Sequence, residues 1–136
     1  MRVFLDSNVI IYSIQGDLAT KQRVAENVLR ISGFAPVIAV SLLSRIECCV
    51  RAIATGDKRA LTETRAFLSR DDVVVVPISM EVMDRAATLR APYKLKVPDA
   101  IQYACAIETG ADVFVTADKY FTRCAEIRVC VIGSSD

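Results

Sequence analysis

Apolar residues along this chain fall into short continuous runs, separated by stretches in which they recur every third or fourth position. Arg2 to Leu5 predicts a strand, and Val37 to Val40, after Pro36, predicts another. Val73 to Val76 is four consecutive valines, the pattern of a strand covered on both faces. Asp112 to Val115 and Val129 to Ile132 predict the last two. Between the strands the period turns helical. Asn8 to Ile14 predicts a short helix broken by Gly16-Asp17. Leu18 to about Ile31 follows, with Val24, Val28 and Ile31 on one side and Gly33 closing it. Ser41 predicts the N-cap of a helix over Leu42 to Ala54 that stops at Gly56. Asp57 to Ser69 predicts the next, and Ser79 opens one that runs to about Arg90. Ala91 to Val97, with Pro92 and two lysines, predicts a loop. Pro98 suits the first position of a helix reaching Thr109, with Gly110 ending it, and Asp118 to Phe121 predicts a helical turn.

Short apolar strands alternating with helices imply an α/β fold of three layers, α/β/α. Its centre is a parallel sheet of about four or five strands. The length of 136 residues predicts one domain over residues 1–136. In such a sheet the ligand site lies beyond the carboxyl ends of the strands.

Composition narrows the chemistry. At 53% apolar residues the chain covers a core without disulfides or a structural metal. With 17 basic and 16 acidic residues, net charge gives no hint of a nucleic-acid partner. Attraction for phosphates has to come from local charge placement or a bound cation. The cysteines, Cys48, Cys49, Cys105, Cys124 and Cys130, are odd in number, lack a CxxC spacing and sit in apolar stretches. They read as reduced core thiols in a cytoplasm rather than a disulfide framework or a zinc site. The opening Met1-Arg2-Val3-Phe4-Leu5-Asp6 lacks the form of a signal peptide. No stretch approaches the ~20 apolar residues of a membrane span. A soluble, cytoplasmic protein with no membrane partner is the expectation. Histidine is absent. That excludes Ser-His-Asp and Cys-His catalysis, metal-free histidine acid/base pairs and histidine-ligated zinc. A hydrolase of this composition has to work with carboxylates, through a metal.

Two aspartates fall on the predicted carboxyl rim: Asp6 directly after the first strand, and Asp118 just beyond Val113-Phe114-Val115. Taken singly, Asp6 reads equally as a turn residue and Asp118 as a helix N-cap. Asp99 stands in the first turn of a helix, where an acid meets the helix dipole favourably, yet its neighbours are apolar on both sides. Glu47 shares a helical face with Leu43 and Val50, so a lone carboxylate there is costly unless paired or metal-bound. The ordinary alternative is an ion pair with Arg51, one turn on. Four carboxylates without histidine suit a hard cation with oxygen ligands, Mg2+ or Mn2+ rather than zinc. Such a cation activates water and neutralises charge on a phosphodiester. Without it the acids would repel one another and any nucleic acid.

With these motifs in order, the chain resembles PIN-domain ribonucleases, and particularly the compact VapC-type toxins of bacterial toxin–antitoxin pairs. The resemblance spans Asp6-Ser7-Asn8, Ser44-x-x-Glu47, Val97-Pro98-Asp99-Ala100-Ile101 and Thr116-Ala117-Asp118-x-x-Phe121. It implies that Asp6, Glu47, Asp99 and Asp118 are the catalytic, metal-binding acids. Asn8 and Thr116 would support the site, the latter by orienting Asp118. Two positions depart from the family's usual pattern: Ala117, where asparagine is common, and Gln102, where histidine stands more often. The resemblance further implies a Mg2+- or Mn2+-dependent endoribonuclease that leaves a 5′-phosphate and a 3′-hydroxyl. A homodimer and inhibition by a cognate, DNA-binding antitoxin are implied with it, and the length suits a stand-alone toxin.

For RNA, Arg90, Lys94 and Lys96 flank the approach to Asp99, and Lys119 and Arg123 follow Asp118. They are candidates for holding the RNA backbone, the alternative being solvated surface charge. Tyr93, Tyr103 and Tyr120 offer stacking faces, though core or interface packing is the more ordinary use. An aspartate-nucleophile phosphatase would need a second aspartate where Asn8 stands. A receiver domain would need one at a middle strand's end, where Pro77-Ile78 follows Val76. The rival from another class is a non-catalytic PIN-like domain that binds RNA or protein without cutting. A DNA-directed nuclease is a closer variant.

Overall fold

A computed structural model describes residues 1–133. The single-domain expectation also covers residues 134–136, which lie outside the described residues. The elements are β1 (Arg2–Leu5), α1 (Ser7–Gln15), α2 (Leu18–Ser32), β2 (Val37–Ser41), α3 (Leu43–Thr55), α4 (Lys58–Leu68) and β3 (Val73–Val76). There follow α5 (Met80–Tyr93), α6 (Val97–Glu108), β4 (Val113–Thr116), a short 3₁₀ helix (Lys119–Arg123) and β5 (Arg128–Val131). Every strand pair is parallel, and the sheet order is β3-β2-β1-β4-β5.

Side chains alternate across the sheet because successive Cβ atoms of a strand point to opposite faces. Phe4, Ala39 and Phe114 turn to one face and pack with α5 and α6 residues such as Val82, Leu89, Tyr103 and Ala104. Val3, Leu5, Val40, Val113 and Val115 turn to the other, where Val9, Ile10 and Val24 of α1 and α2 cover them. The result is the expected three-layer α/β/α fold with a central parallel sheet. Aromatic packing ties its middle together: Phe4 stacks on Phe114 at 5.6 Å, and Tyr103 meets Phe114 edge-on at 5.3 Å. Each such pair contributes on the order of 1 kcal/mol beyond burial.

The chain crosses from β1 outward to β2 and β3, then returns to β4 on the other side of β1. The connections leaving β1 and β4 therefore diverge, opening a crevice at their carboxyl ends.

Four expectations need correction. Ser41 is the last residue of β2, paired with Val76, so α3 begins at Leu43; the Ser41 hydroxyl nevertheless accepts from the Leu43 N–H at 3.0 Å. Leu42 N–H donates to the Val76 carbonyl, which carries the ladder past the predicted helix start. The four valines form an edge strand, with Val75 37% exposed, so β3 is not covered on both faces. Helix α5 continues through Pro92 to Tyr93, where a loop was expected. In a last turn, proline removes one backbone bond and disrupts nothing further on. Lys94, at φ 53°, closes the helix by donating to the Arg90 carbonyl, and the Tyr120 hydroxyl donates to the carbonyls of Tyr93 and Lys94. Finally, β5 spans Arg128–Val131, one residue earlier than read from the pattern.

Candidate active site

Asp6 ends β1 and caps α1. Its backbone N–H still donates to the Val115 carbonyl in the sheet, while its Oδ1 accepts from the Ser7 N–H at 2.8 Å. Oδ2 accepts from the Thr116 hydroxyl at 2.8 Å and from Asn8 Nδ2 at 3.2 Å. The residue is only 5% exposed. Burial pushes its carboxyl up to about 7; the bonds from Thr116 and Ser7 oppose the rise, and the Asp99 and Glu47 carboxylates add to it. Capping and site membership are thus compatible roles for one side chain.

Thr116 is the last residue of β4 and fully buried. Having given its proton to Asp6, its oxygen accepts from the Asp118 N–H at 3.0 Å and from Asn8 Nδ2 at 3.4 Å. Asn8 returns a bond from the other strand end, its Oδ1 accepting from the Ala117 N–H at 3.0 Å. Asn8 and Thr116 therefore hold the ends of β1 and β4 in fixed relation, with Thr116 touching the backbone of Asp118 as well as the carboxyl of Asp6. Asp118 caps the 3₁₀ helix through Tyr120 N–H at 2.9 Å.

Asp99 sits half-buried in the first turn of α6. Its carboxyl is raised by burial first, then by the Asp118 and Glu47 carboxylates, against a lowering influence from Lys96. These mutual repulsions tie all four acids together: Asp6 feels Asp99 and Glu47, and Asp99 feels Asp118 and Glu47.

Glu47 is held by a network that the sequence did not display. Its Oε1 accepts from the Ser7 hydroxyl at 2.8 Å and from Gln102 Nε2 at 2.8 Å. Ser44 Oγ lies 2.8 Å from Ser7 Oγ and accepts from Gln102 Nε2 at 3.1 Å. The expected apolar face is incorrect, since Val50 is 55% exposed and the inward neighbours of Glu47 are buried polar residues. Among the described residues Glu47 makes no ion pair with Arg51. Gln102 is buried, and its Oε1 has no hydrogen-bond partner among the described residues.

The basic candidates separate. Lys94 and Lys96 line a cleft of about 190 Å³ together with Asp99, Asp118 and Tyr120. Arg90 instead donates from Nε to the Leu95 carbonyl at 2.8 Å, bracing the turn between α5 and α6. Lys119 is exposed at the start of the 3₁₀ helix, and Arg123 lies over the Tyr120 ring at 3.4 Å. Tyr103 is fully buried in the core, and Tyr93 bonds to Glu126, so Tyr120 is the tyrosine that lines the acidic cleft.

Donor chemistry decides what the acids fit. They offer oxygen ligands alone, and Asp6 is a buried carboxyl whose neighbours are other carboxyls rather than a lysine or arginine. Among the described residues no three acidic or cysteine side chains close on one point as a ready-made cage. An open, all-oxygen set fits a hard divalent cation that keeps much of its water and takes further ligands from a substrate phosphate.

The sequence pattern of the PIN domain matches residues 3–127. No curated protein matches the chain. Among solved structures, the chain is similar to a toxin–antitoxin complex from Klebsiella pneumoniae, at 28% identity and a TM-score of 0.72, covering 95% of this chain and 96% of that one. It shares its fold with VapBC2 from Rickettsia felis, solved bound to a DNA fragment from their promoter, at 20% identity and TM-score 0.75, covering 96% and 98%. The fold also matches VapC20 of Mycobacterium tuberculosis, a sarcin–ricin loop cleaving toxin, at 17% identity and TM-score 0.70, covering 93% and 98%. With a family pattern that runs through Asp6, Glu47, Asp99 and Asp118, over a parallel five-stranded sheet, this chain belongs to the PIN domain family.

Proposed function

We propose that this chain is a divalent-metal-dependent endoribonuclease, the toxin of a type II toxin–antitoxin pair. The observation that carries the reading is Asp6: a buried carboxyl, locked by Ser7, Asn8 and Thr116, whose charged neighbours are the Asp99 and Glu47 carboxylates. Asp6, Glu47, Asp99 and Asp118 would hold Mg2+ or Mn2+. When bound, the ion supplies an acidified water and neutralises charge on the phosphodiester.

The chain's own residues do the positioning. Ser7 N–H and Thr116 each hold one oxygen of Asp6, which fixes the plane of the carboxylate. Ser7 and Gln102 occupy Oε1 of Glu47, which leaves Oε2 as the oxygen for a cation. Lys94 and Lys96, beside Asp99 and Asp118, are placed to meet phosphates, with Lys119 exposed alongside. Arg90 serves the turn.

A cognate antitoxin and a homodimer are part of the proposal. The exposed apolar stripe of Leu42, at the cap of α3, and Ile46, Val50 and Ile53 on the helix is surface of the kind that such partners cover. Among the described residues no helix is long and apolar enough to cross a membrane, and we place the protein in the cytoplasm.

The test uses the protein freed of any bound partner, incubated with a pool of structured and unstructured RNA in Mg2+, in Mn2+ and in chelator. Cleavage is expected with either ion, absent with chelator, and absent in a folded Asp6→Asn, Asp99→Asn variant. A folded, metal-loaded protein that binds RNA yet leaves it whole would instead be a non-catalytic PIN-like binding domain. Cleavage undiminished in the variant would place the chemistry elsewhere.

A further inference from the structure

One helical turn beyond Asn8 and Glu47 stand an aromatic and a basic residue. Tyr12 follows Asn8 by one turn on α1, and Arg51 follows Glu47 by one turn on α3. Between them is a cavity of about 300 Å³, whose polar lining is Tyr12, Gln15, Asp17, Thr20, Arg23 and Arg51. Ile132 forms another part of its wall, and its N–H donates to the Thr116 carbonyl at 2.8 Å. The cavity therefore adjoins the strand end that anchors Asp6. Gly16 shapes the floor, because a Cβ there would lie 2.6 Å from the Tyr12 carbonyl and 2.9 Å from Thr20 Cγ2.

The two arginines are poised for an anion. Arg23 Nε is buried and has no hydrogen-bond partner among the described residues. Nε itself is closed to solvent, so an anionic acceptor in the cavity would meet the terminal nitrogens of this guanidinium. Arg51 makes no ion pair among the described residues. The one acid in the lining, Asp17, is committed to capping α2 through the Thr20 N–H at 2.8 Å. It is kept ionised first by that bond and least by Arg23. Tyr12 adds a partly exposed aromatic face.

We propose that this cavity binds a backbone phosphate of the RNA, flanking the one cut at the acids, with a neighbouring base against Tyr12. The inference rests on the nuclease reading above and extends it to the path of the substrate. Helix α1 covers one face of the sheet and α6 the other, with the acids on the edge between them. The Arg23–Arg51 cavity and the Lys94–Lys96 cleft therefore stand on opposite flanks of the acids. A strand drawn across an acidic rim that repels it needs a cationic hold on each side. At a net charge of +1 the rest of the surface supplies little.

The test measures binding of labelled single-stranded RNA oligomers of increasing length, in chelator, at several salt concentrations. It compares wild type, Arg23→Met/Arg51→Met, Arg51→Met alone and Arg23→Lys/Arg51→Lys. Thermal unfolding and Mg2+ calorimetry are run on each. The Met pair is expected to lose about tenfold in affinity for the longer oligomers and to show a salt slope shallower by about 0.7, the value for one phosphate on a single strand. Mg2+ binding should be unchanged, and KM should rise while kcat holds. Arg51→Met, altering an exposed side chain, should show part of the same loss with no change in unfolding. The Lys pair should restore the slope but only part of the affinity, because lysine lacks the planar fork. Wild-type binding and cleavage with unaltered affinity and slope in the Met pair would overturn the proposal and leave the nuclease reading standing. The same holds if the Met pair keeps RNA but loses an oligoglutamate peptide, which would assign the cavity to an acidic protein segment. A wild-type protein that neither binds nor cuts RNA would remove the nuclease reading itself.

Discussion

Gln102 donates a hydrogen bond of 2.8 Å to Oε1 of Glu47, joining α6 to α3 across 55 positions of sequence. The same nitrogen lies 2.9 Å from Ser7 Oγ, so one buried amide organises three helices around one carboxylate. Replacement by leucine removes this charge-assisted bond and also deletes an acceptor that had no partner. The effects on folding oppose each other, so stability should change by no more than about 2 kcal/mol. Support for a ligand is not offset in that way. Gln102→Leu should weaken Mg2+ binding by about tenfold or more. Calorimetric titration checks this, and an affinity equal to wild type would reduce Gln102 to packing.

The Asp6 carboxyl sets a pH dependence for the metal-free protein. Its value rises from 3.8 to about 7 on folding, chiefly through burial, so the folded state binds this proton more tightly across that interval. Stability from this group is therefore greatest at low pH and declines as pH climbs towards 7. Asp99 shifts the same way, again chiefly through burial. The metal-free protein should melt at a higher temperature at pH 5.5 than at pH 8, and Asp6→Asn should flatten the difference. Mg2+ competes with the proton, so its affinity should rise with pH to about 7 and then level. A melting temperature that rises with pH over this range would contradict the assignment.

Thr116→Val tests the lock between β1 and β4. It leaves buried Oδ2 of Asp6 and the Asp118 N–H each short of a partner, at a cost of about 1–3 kcal/mol. The lost bond is one that lowers the Asp6 carboxyl, so the acid limb of the cleavage pH profile should move to higher pH. Thr116→Ser, which keeps the hydroxyl, should stay close to wild type in both measurements.

Two kinds of basic residue can be told apart by salt. Charge reversal at Lys94 and Lys96 should weaken RNA binding and flatten its dependence on salt, because both lysines line the cleft with Asp99 and Asp118. Arg90→Met should do the reverse. It removes the brace on Leu95 and lowers the melting temperature, while leaving the salt slope as it was. Equal slopes in all three proteins would mean that RNA approaches from elsewhere.

The layers and the rim acids were legible because they depend on local signals: apolar runs of strand length, and an acid directly after Leu5 or just beyond Val115. The Ser7–Ser44–Gln102 network was not. Each member is a polar residue inside or at the start of a helix, and only packing reveals that three helices turn them towards Glu47. Leu43 and Val50 suggested an apolar face at i−4 and i+3, but the packed side of α3 carries Ser44 and Cys48, with Val50 in solvent. The valines of β3 carry the composition of a central strand, and strand order, which no valine encodes, placed them at the edge. Pro92 looked like a helix break for a physical reason: a hydroxyl from Tyr120, remote in sequence, and the bond from Arg90 to the Leu95 carbonyl across the turn complete a helix end that looks broken in isolation.

That Asp6 both caps α1 and stands among the acids makes cation occupancy a matter of local unfolding. Opening the first turn of α1 would swing away the Oδ1 contact and the plane of the carboxylate with it, so the opened form loses its hold on the ion. A ligand that binds only the closed form suppresses opening in proportion to its saturation. Amide hydrogens near the start of α1, Val9 and Ile10 among them, should exchange more slowly with deuterium as Mg2+ is added, while those of α4, which carries none of the four acids, keep their rates.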